Sequence, residues 1–199
     1  MTLGEKLDAA VWAANALFDR GKTSGTTANL SFLYNGAYYV SRSGSCFGTL
    51  TRTDLVRVEA DGSWDEAVGN PSKEFALHKM LYENDAEIQA VIHVHSPYAV
   101  LWSCIPHEDP RDVFPHITPY LDMKLGKIAE TPYAPPGSRE LFDAFRESLG
   151  PERGYLLCNH GPIVGGTSII NAFEAIEELE QTAFVCWELK KQGLLSLSE

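Results

Sequence analysis

Between Leu3 and Arg20, apolar residues recur at Leu7, Val11, Ala14, Leu17 and Phe18, a stripe of helical period that Gly21 closes. Leu30 to Tyr34 and Ala37 to Ser41 then flank Asn35-Gly36, the dipeptide preferred in two-residue hairpin turns, and predict a pair of antiparallel strands. Leu55 to Ala60 reads as a further strand ending at the Asp61-Gly62 turn. Pro71-Ser72 opens a helix running to about Glu83, with Ser72 placed to act as its N-cap. The apolar run Ala90-Val91-Ile92 leads into His93-Val94-His95 as a central strand, and Pro97 to Trp102 follows as a helix. The stretch from Pro106 to Pro136 is proline-rich and irregular, long enough to suggest a functional loop. Arg139 to Leu149 is helical, Gly154 to Asn159 is a short buried strand, and Asn171 to Leu189 is a long helix. That last helix aligns Ala172, Phe173, Ile176, Leu179, Ala183 and Trp187 on one side. Hairpins mixed with helices predict an α/β fold on a largely antiparallel sheet, and with no repeat or linker in sight residues 1–199 read as one domain.

Composition narrows the partners. A formal charge of −11 excludes the basic surface that nucleic acid requires, yet a few local cations and N–H groups suffice for one phosphate. No apolar run has the length of a membrane span, and Met1 to Lys6 does not resemble a secretory signal. Cys46, Cys104, Cys158 and Cys186 are widely spaced without a CxxC pair, as expected of reduced thiols in a cytoplasmic protein. Cys158 stands two residues from His160 and could bind a metal, but a small buried hydrophobe is the expected role.

The chemistry concentrates on histidine. Side chains alternate along a strand, so His93 and His95 face the same side and can share a divalent ion if a third ligand arrives from elsewhere. His160, in Asn159-His160-Gly161-Pro162 at the end of a buried strand, is the best candidate. Three neutral imidazoles suit zinc and leave a coordination position for substrate. Spacing alone does not settle this, because HxH occurs in many unrelated strands and His78, His107 and His116 compete for the third place. Glu74 sits at a helix start, where it either complements the helix dipole or serves as a general acid/base beside the metal. Gly25-Thr26-Thr27-Ala28-Asn29, Ser43-Gly44 and Ser72-Lys73 are each ordinary turn sequences, but three such loops together suggest a phosphate pocket.

Taken in order, Gly25-Thr26-Thr27-Ala28-Asn29-Leu30-Ser31, Ser41-Arg42-Ser43-Gly44, Pro71-Ser72-Lys73-Glu74, His93-Val94-His95, Tyr133-Ala134-Pro135-Pro136-Gly137-Ser138 and Asn159-His160-Gly161 resemble the class II aldolase/adducin family over nearly the whole chain. The resemblance implies a three-layer α/β/α sandwich around a mostly antiparallel sheet, a homotetramer with sites at subunit interfaces, and one zinc ion per subunit on His93, His95 and His160, a place another divalent metal could take. It implies Glu74 as the acid/base, Thr26, Asn29, Ser43, Gly44 and Ser72 as phosphate-loop positions, and Tyr120 as a substrate-side tyrosine. Two positions depart from the family pattern: Ala28 stands where glycine is usual, and Lys73 where a second serine is usual. Lys73 could pair with a phosphate or carboxylate as a point charge, or lie solvated on its helix.

Lys73, with Thr118 to Lys124, Tyr133 to Gly137 and Glu177-Glu178-Leu179-Glu180, is most similar to the branch of decarboxylases acting on 3-oxo-tetronate 4-phosphates. The implied reaction releases carbon dioxide and dihydroxyacetone phosphate through an enediolate stabilised by zinc. An aldolase cleaving a ketose 1-phosphate such as fuculose 1-phosphate passes through the same enediolate and is the alternative, with an epimerase third. A non-catalytic adducin-like binding module is the alternative of another class, and it has no need of His93, His95, His160 and Glu74.

Overall fold

The computed structural model describes residues 1–195. Seven strands form one mixed sheet in the order β3-β2-β1-β4-β7-β6-β5. They are β1 (Asn29–Tyr34), β2 (Ala37–Ser41), β3 (Leu55–Val58), β4 (Ala90–His93), β5 (Ile128–Thr131), β6 (Gly154–Leu157) and β7 (Gly161–Gly166). The helices are α1 (Leu3–Asp19), α2 (Phe75–Asn84), α3 (Pro97–Ser103), α4 (Pro119–Lys124), α5 (Arg139–Ser148) and α6 (Ile169–Lys191). Every neighbouring pair in the sheet is antiparallel except β5 with β6.

Strand alternation sorts the core into two layers. Leu30, Phe32, Ala90, Ile92, Ile128, Leu156 and Val164 face the cluster built with α1, α3, α4 and α6. Their neighbours Val91, Ala129, Tyr155, Leu157 and Ile163 face the opposite cluster, built with α2 and α5. The result is the three-layer α/β/α sandwich that the resemblance implied, with a mostly antiparallel sheet between the helical layers.

Local chemistry accounts for the legible boundaries. Thr2 and Glu5 form a reciprocal capping box at the start of α1. Asn35 and Gly36 both adopt positive φ, 49° and 80°, as a tight hairpin between right-twisted strands requires. Among the described residues, no helix is long and apolar enough to cross a membrane.

Two expectations are corrected, and one strand that the pattern does not predict is added. The 106–136 segment is not wholly irregular, since it contains α4 and β5. Strand β5 has little apolar pattern of its own and exists because β6 pairs with it in parallel. Strand β7, Gly161-Pro162-Ile163-Val164-Gly165-Gly166, has poor intrinsic strand propensity, yet it lies between β4 and β6. Its glycines admit neighbours that a side chain would strike: a Cβ on Gly165 would lie 2.5 Å from Ile88, and one on Gly166 2.5 Å from the Ala172 nitrogen. Lastly, α2 begins at Phe75 rather than at Ser72. Ser72 instead forms a preceding turn, its carbonyl accepting from Phe75 N at 3.1 Å and its own N–H donating to Ser41 O at 3.0 Å.

Glu180, from the stretch that carried part of the branch resemblance, has a structural place. Its buried carboxylate accepts from Tyr98 N at 3.1 Å and Ala99 N at 2.8 Å, capping α3 from the middle of α6. The Ser96 hydroxyl at the N-cap makes no such bond, so Glu180 supplies the cap in its place. Glu180→Ala should therefore lower stability by about 2 kcal/mol, from two orphaned N–H groups and a lost charged acceptor, measured as a fall in the urea midpoint.

Candidate metal centre and adjoining cleft

Three strands deliver the histidines to one end of the sheet. His93 ends β4, paired across the sheet with Asn29 of β1 on one side and Ile163 of β7 on the other. His95 lies just beyond β4, in the turn before α3, so strand alternation alone does not place it. His160 sits in the short turn between β6 and β7, where Asn159 holds a left-handed φ of 55° and donates its N–H to Ser103 O at 3.0 Å.

The three imidazoles converge. Their ring centroids are 4.7 to 5.0 Å apart, and one ligand nitrogen from each lies within 4.8 Å of the others. His93 donates from Nδ1 to Pro162 O at 2.9 Å, which leaves Nε2 as a lone pair only 3.2 Å from His95 Nε2. Both ring nitrogens of His160 are buried without a hydrogen-bond partner. Burial pushes the His93 pKa down to about 3, the nearby His95 adding to it, and burial likewise lowers those of His95 and His160. Three converging neutral imidazoles, one of them buried with no hydrogen-bond partner, are the donor set a divalent ion fits, so this cluster could hold one.

Glu74 borders the triad, with Oε2 3.4 Å from His93 Nε2 and Oε1 3.7 Å from His160 Nε2. It occupies the residue before the first turn of α2 and makes no side-chain cap bond, which leaves its carboxylate free to face the histidines. Beyond Glu74 opens a cleft of about 190 Å³ lined by Thr26, Asn29, Ser43, Gly44, Ser72 and Lys73, all six expected loop residues. The loops are tied together by Ser43 N donating to Asn70 O at 2.9 Å and by the Ser72 bond to β2 already described.

The competing histidines are engaged elsewhere. His107 contacts Glu130 at 3.3 Å, and His116 lies between Asp112 and Asp122 at 2.9 and 2.8 Å. His78 is bonded to Ser31 and Asn29. Cys158, expected as a small buried hydrophobe, is half-buried and donates to Glu130 at 2.6 Å; burial and that carboxylate push its pKa up to about 12. Tyr120 is 60% exposed on α4 and is not among the residues lining the cleft. Arg42, by contrast, lines the cleft without having been singled out, its guanidinium paired with Asp54. It stood inside the Ser41-Arg42-Ser43-Gly44 motif, which was the available signal.

Gly161 is the hinge of this geometry. Its φ of 150° suits glycine, and a Cβ there would lie 2.6 Å from Val94 O and 3.6 Å from the His95 ring. Gly161→Ala should cost on the order of 2 kcal/mol of stability and weaken divalent-ion binding by displacing His95, as read by thermal unfolding and metal titration.

Comparison with known proteins shows the family. Residues 8–187 match the Class II Aldolase and Adducin N-terminal domain. The chain is 37% identical over 171 residues to the 3-oxo-tetronate 4-phosphate decarboxylase of Escherichia coli K12, covering 85% of this chain and 80% of that one. It is 30% identical over 177 residues to an L-fuculose phosphate aldolase of Methanococcus maripaludis, covering 87% and 93%. The crystal structure of YgbL from Klebsiella pneumoniae, described as an aldolase/epimerase/decarboxylase candidate, superposes with a TM-score of 0.89 at 34% identity, covering 95% of this chain and 91% of that one. The chain belongs to the class II aldolase and adducin family, among its lyases.

Proposed function

We propose that the protein is a zinc-dependent decarboxylase of 3-oxo-tetronate 4-phosphates, forming dihydroxyacetone phosphate and carbon dioxide. The observation that carries this reading is the convergence of three imidazoles, two buried and one half-buried, with Glu74 beside a polar cleft. His93, His95 and His160 would hold the zinc, which when bound supplies Lewis acidity that draws electron density from the substrate ketone.

The remaining work falls to the chain's own groups. Thr26, Ser43 and Ser72 offer hydroxyls, and the Gly44 turn offers N–H groups, to seat the phosphate at the cleft. The Asn29 amide is shared, with Nδ2 donating to Glu74 Oε2 at 3.2 Å and a second N–H left for a ligand. Lys73, exposed at the cleft, would attract the substrate's carboxylate or phosphate as a point charge. In the reaction the C1–C2 bond breaks, its electron pair is delocalised onto the C3 ketone, and carbon dioxide leaves. The Glu74 carboxyl then delivers a proton to C2, and solvent restores it, so one proton is consumed per turnover.

A ketose 1-phosphate aldolase is the second reading, favoured by the similarity to the fuculose phosphate aldolase. The carbanion to be protonated is the same, and Glu74 would serve both. Retention of the triad and Glu74 weighs against a purely structural adducin-like module. We further infer that residues 1–199 act as one domain in a cytoplasmic homotetramer. The apolar side chains Ile117, Tyr120 and Met123, 38%, 60% and 76% exposed around α4, would be covered there, with Tyr120 offered to a neighbouring site. The unpaired thiols are in keeping with a reducing compartment.

The zinc-loaded protein should release carbon dioxide and dihydroxyacetone phosphate from a 3-oxo-tetronate 4-phosphate. Absence of carbon dioxide, together with brisk cleavage of a ketose 1-phosphate, would transfer the assignment to aldolase. His95→Ala should lose both bound metal and turnover. Glu74→Gln should keep stoichiometric metal while kcat falls by about 10²-fold or more, as the loss of a general acid entails. Light scattering should give the mass of a tetramer.

A further inference from the structure

Behind Glu74 a chain of buried polar side chains runs from the cleft residue Asn29 to Ser31, His78 and Tyr82, the last three of which neither metal nor phosphate requires. Asn29 Oδ1 lies 2.6 Å from His78 Nε2, His78 Nδ1 lies 2.8 Å from Ser31 Oγ, and Ser31 Oγ lies 2.8 Å from the Tyr82 hydroxyl. His78 and Ser31 are fully buried and Asn29 and Tyr82 nearly so. Glu74, His78 and Tyr82 are spaced i, i+4, i+8 along α2 and the turn before it, while Asn29 and Ser31 are i, i+2 on β1. Four helical residues advance about 6 Å, and two strand residues about 6.7 Å. The two ladders therefore mesh rung for rung.

We propose that His78 is a positioning residue for Glu74, holding the Asn29 amide in the one orientation that donates to the carboxylate facing the histidines. The direction of every bond follows from its acceptor. Glu74 Oε2 accepts from Asn29, which turns Nδ2 toward it, at 3.2 Å, and Oδ1 toward His78. Oδ1 only accepts, so His78 carries its proton on Nε2. Nδ1 is then a lone pair that takes the Ser31 hydroxyl proton, and Ser31 in turn accepts from Tyr82. Burial favours the same assignment, holding His78 neutral with its pKa pushed down to about 3 and the Tyr82 phenol protonated. If His78 carried its proton on Nδ1 instead, Nε2 would face Oδ1 lone pair to lone pair. Asn29 would then be free to turn Oδ1 toward Glu74 and repel it.

The test has two arms. Imidazole ¹⁵N spectra of the wild-type protein at neutral pH should show His78 as the neutral Nε2–H tautomer, assigned by the signal missing in His78→Gln. An Nδ1–H or doubly protonated His78 would overturn the proposal. For turnover, His78→Leu should lower kcat on the order of tenfold to a hundredfold, as misplacing a reacting group does. KM should change by less than kcat, because every cleft residue is still present. Bound metal should stay stoichiometric. His78→Gln, which keeps an N–H donor toward Asn29, should recover most of the loss. Wild-type kcat in His78→Leu, or an equal loss in both variants, would reduce the chain to a structural one. The kinetic arm rests on the lyase reading given above, whereas the tautomer does not. A wild-type protein inactive on every substrate offered, with His78 as Nε2–H, would therefore remove the lyase reading alone.

Discussion

An imidazole buried without a hydrogen-bond partner is costly to a folded chain, and His160 is buried with both ring nitrogens in that condition. The rest of the structure is arranged around this constraint. Strand β7 returns beside β4 so that Pro162 can hold the His93 ring, and Gly161 removes the side chain that would separate the His160 turn from His95. At this end of the sheet His93 and His95 bring Nε2 atoms within 3.2 Å of each other, and His160 adds two nitrogens with no partner. A divalent ion held by the three histidines would answer the deficit, because it would accept a lone pair from each.

The opposite wall of the centre is built on different terms. Between β1 and α2 the polar side chains are joined in one chain of hydrogen bonds, from Tyr82 through Ser31, His78 and Asn29 to Glu74. One side of the site is thus underbonded, while the other is tied together link by link. This division suits the proposed reaction, in which charge would be accepted at the histidine side while a proton would be delivered from the Glu74 carboxyl. It also separates the two roles in energy. On the proposed reading, loss of an imidazole would empty the centre, whereas loss of a link in the β1–α2 chain would leave it filled but misaim Glu74.

Elements with strong local signals were legible in the chain. The capping box and apolar stripe of α1, the Asn35-Gly36 hairpin and the long apolar face of α6 all stand where the pattern puts them. Elements specified by partners were not. Strands β5 and β7 have weak patterns and form because β6 offers each an edge. The N-terminus of α2 was misplaced because Ser72 has the chemistry of an N-cap but spends it in a turn that docks the loop on β2. At the site, the ordered motifs marked the three histidines, Glu74 and the cleft residues, while His78 passed as a mere competitor for the metal. The helical spacing of Glu74, His78 and Tyr82 was visible, but its partner spacing on β1 lies more than forty residues away.

What the sequence by itself determined was the set of groups and the family they belong to. Their identities and order are one-dimensional facts, and six motifs in series survive without any knowledge of contacts. What only the tertiary structure decided was pairing. Alternation in a strand could argue for His93 and His95, yet β4 ends at His93, and His95 reaches the centre from a turn held by β7. The direction of each hydrogen bond behind Glu74 likewise depends on which acceptor lies opposite which donor. Contacts between distant segments fix that, and no local spacing encodes it.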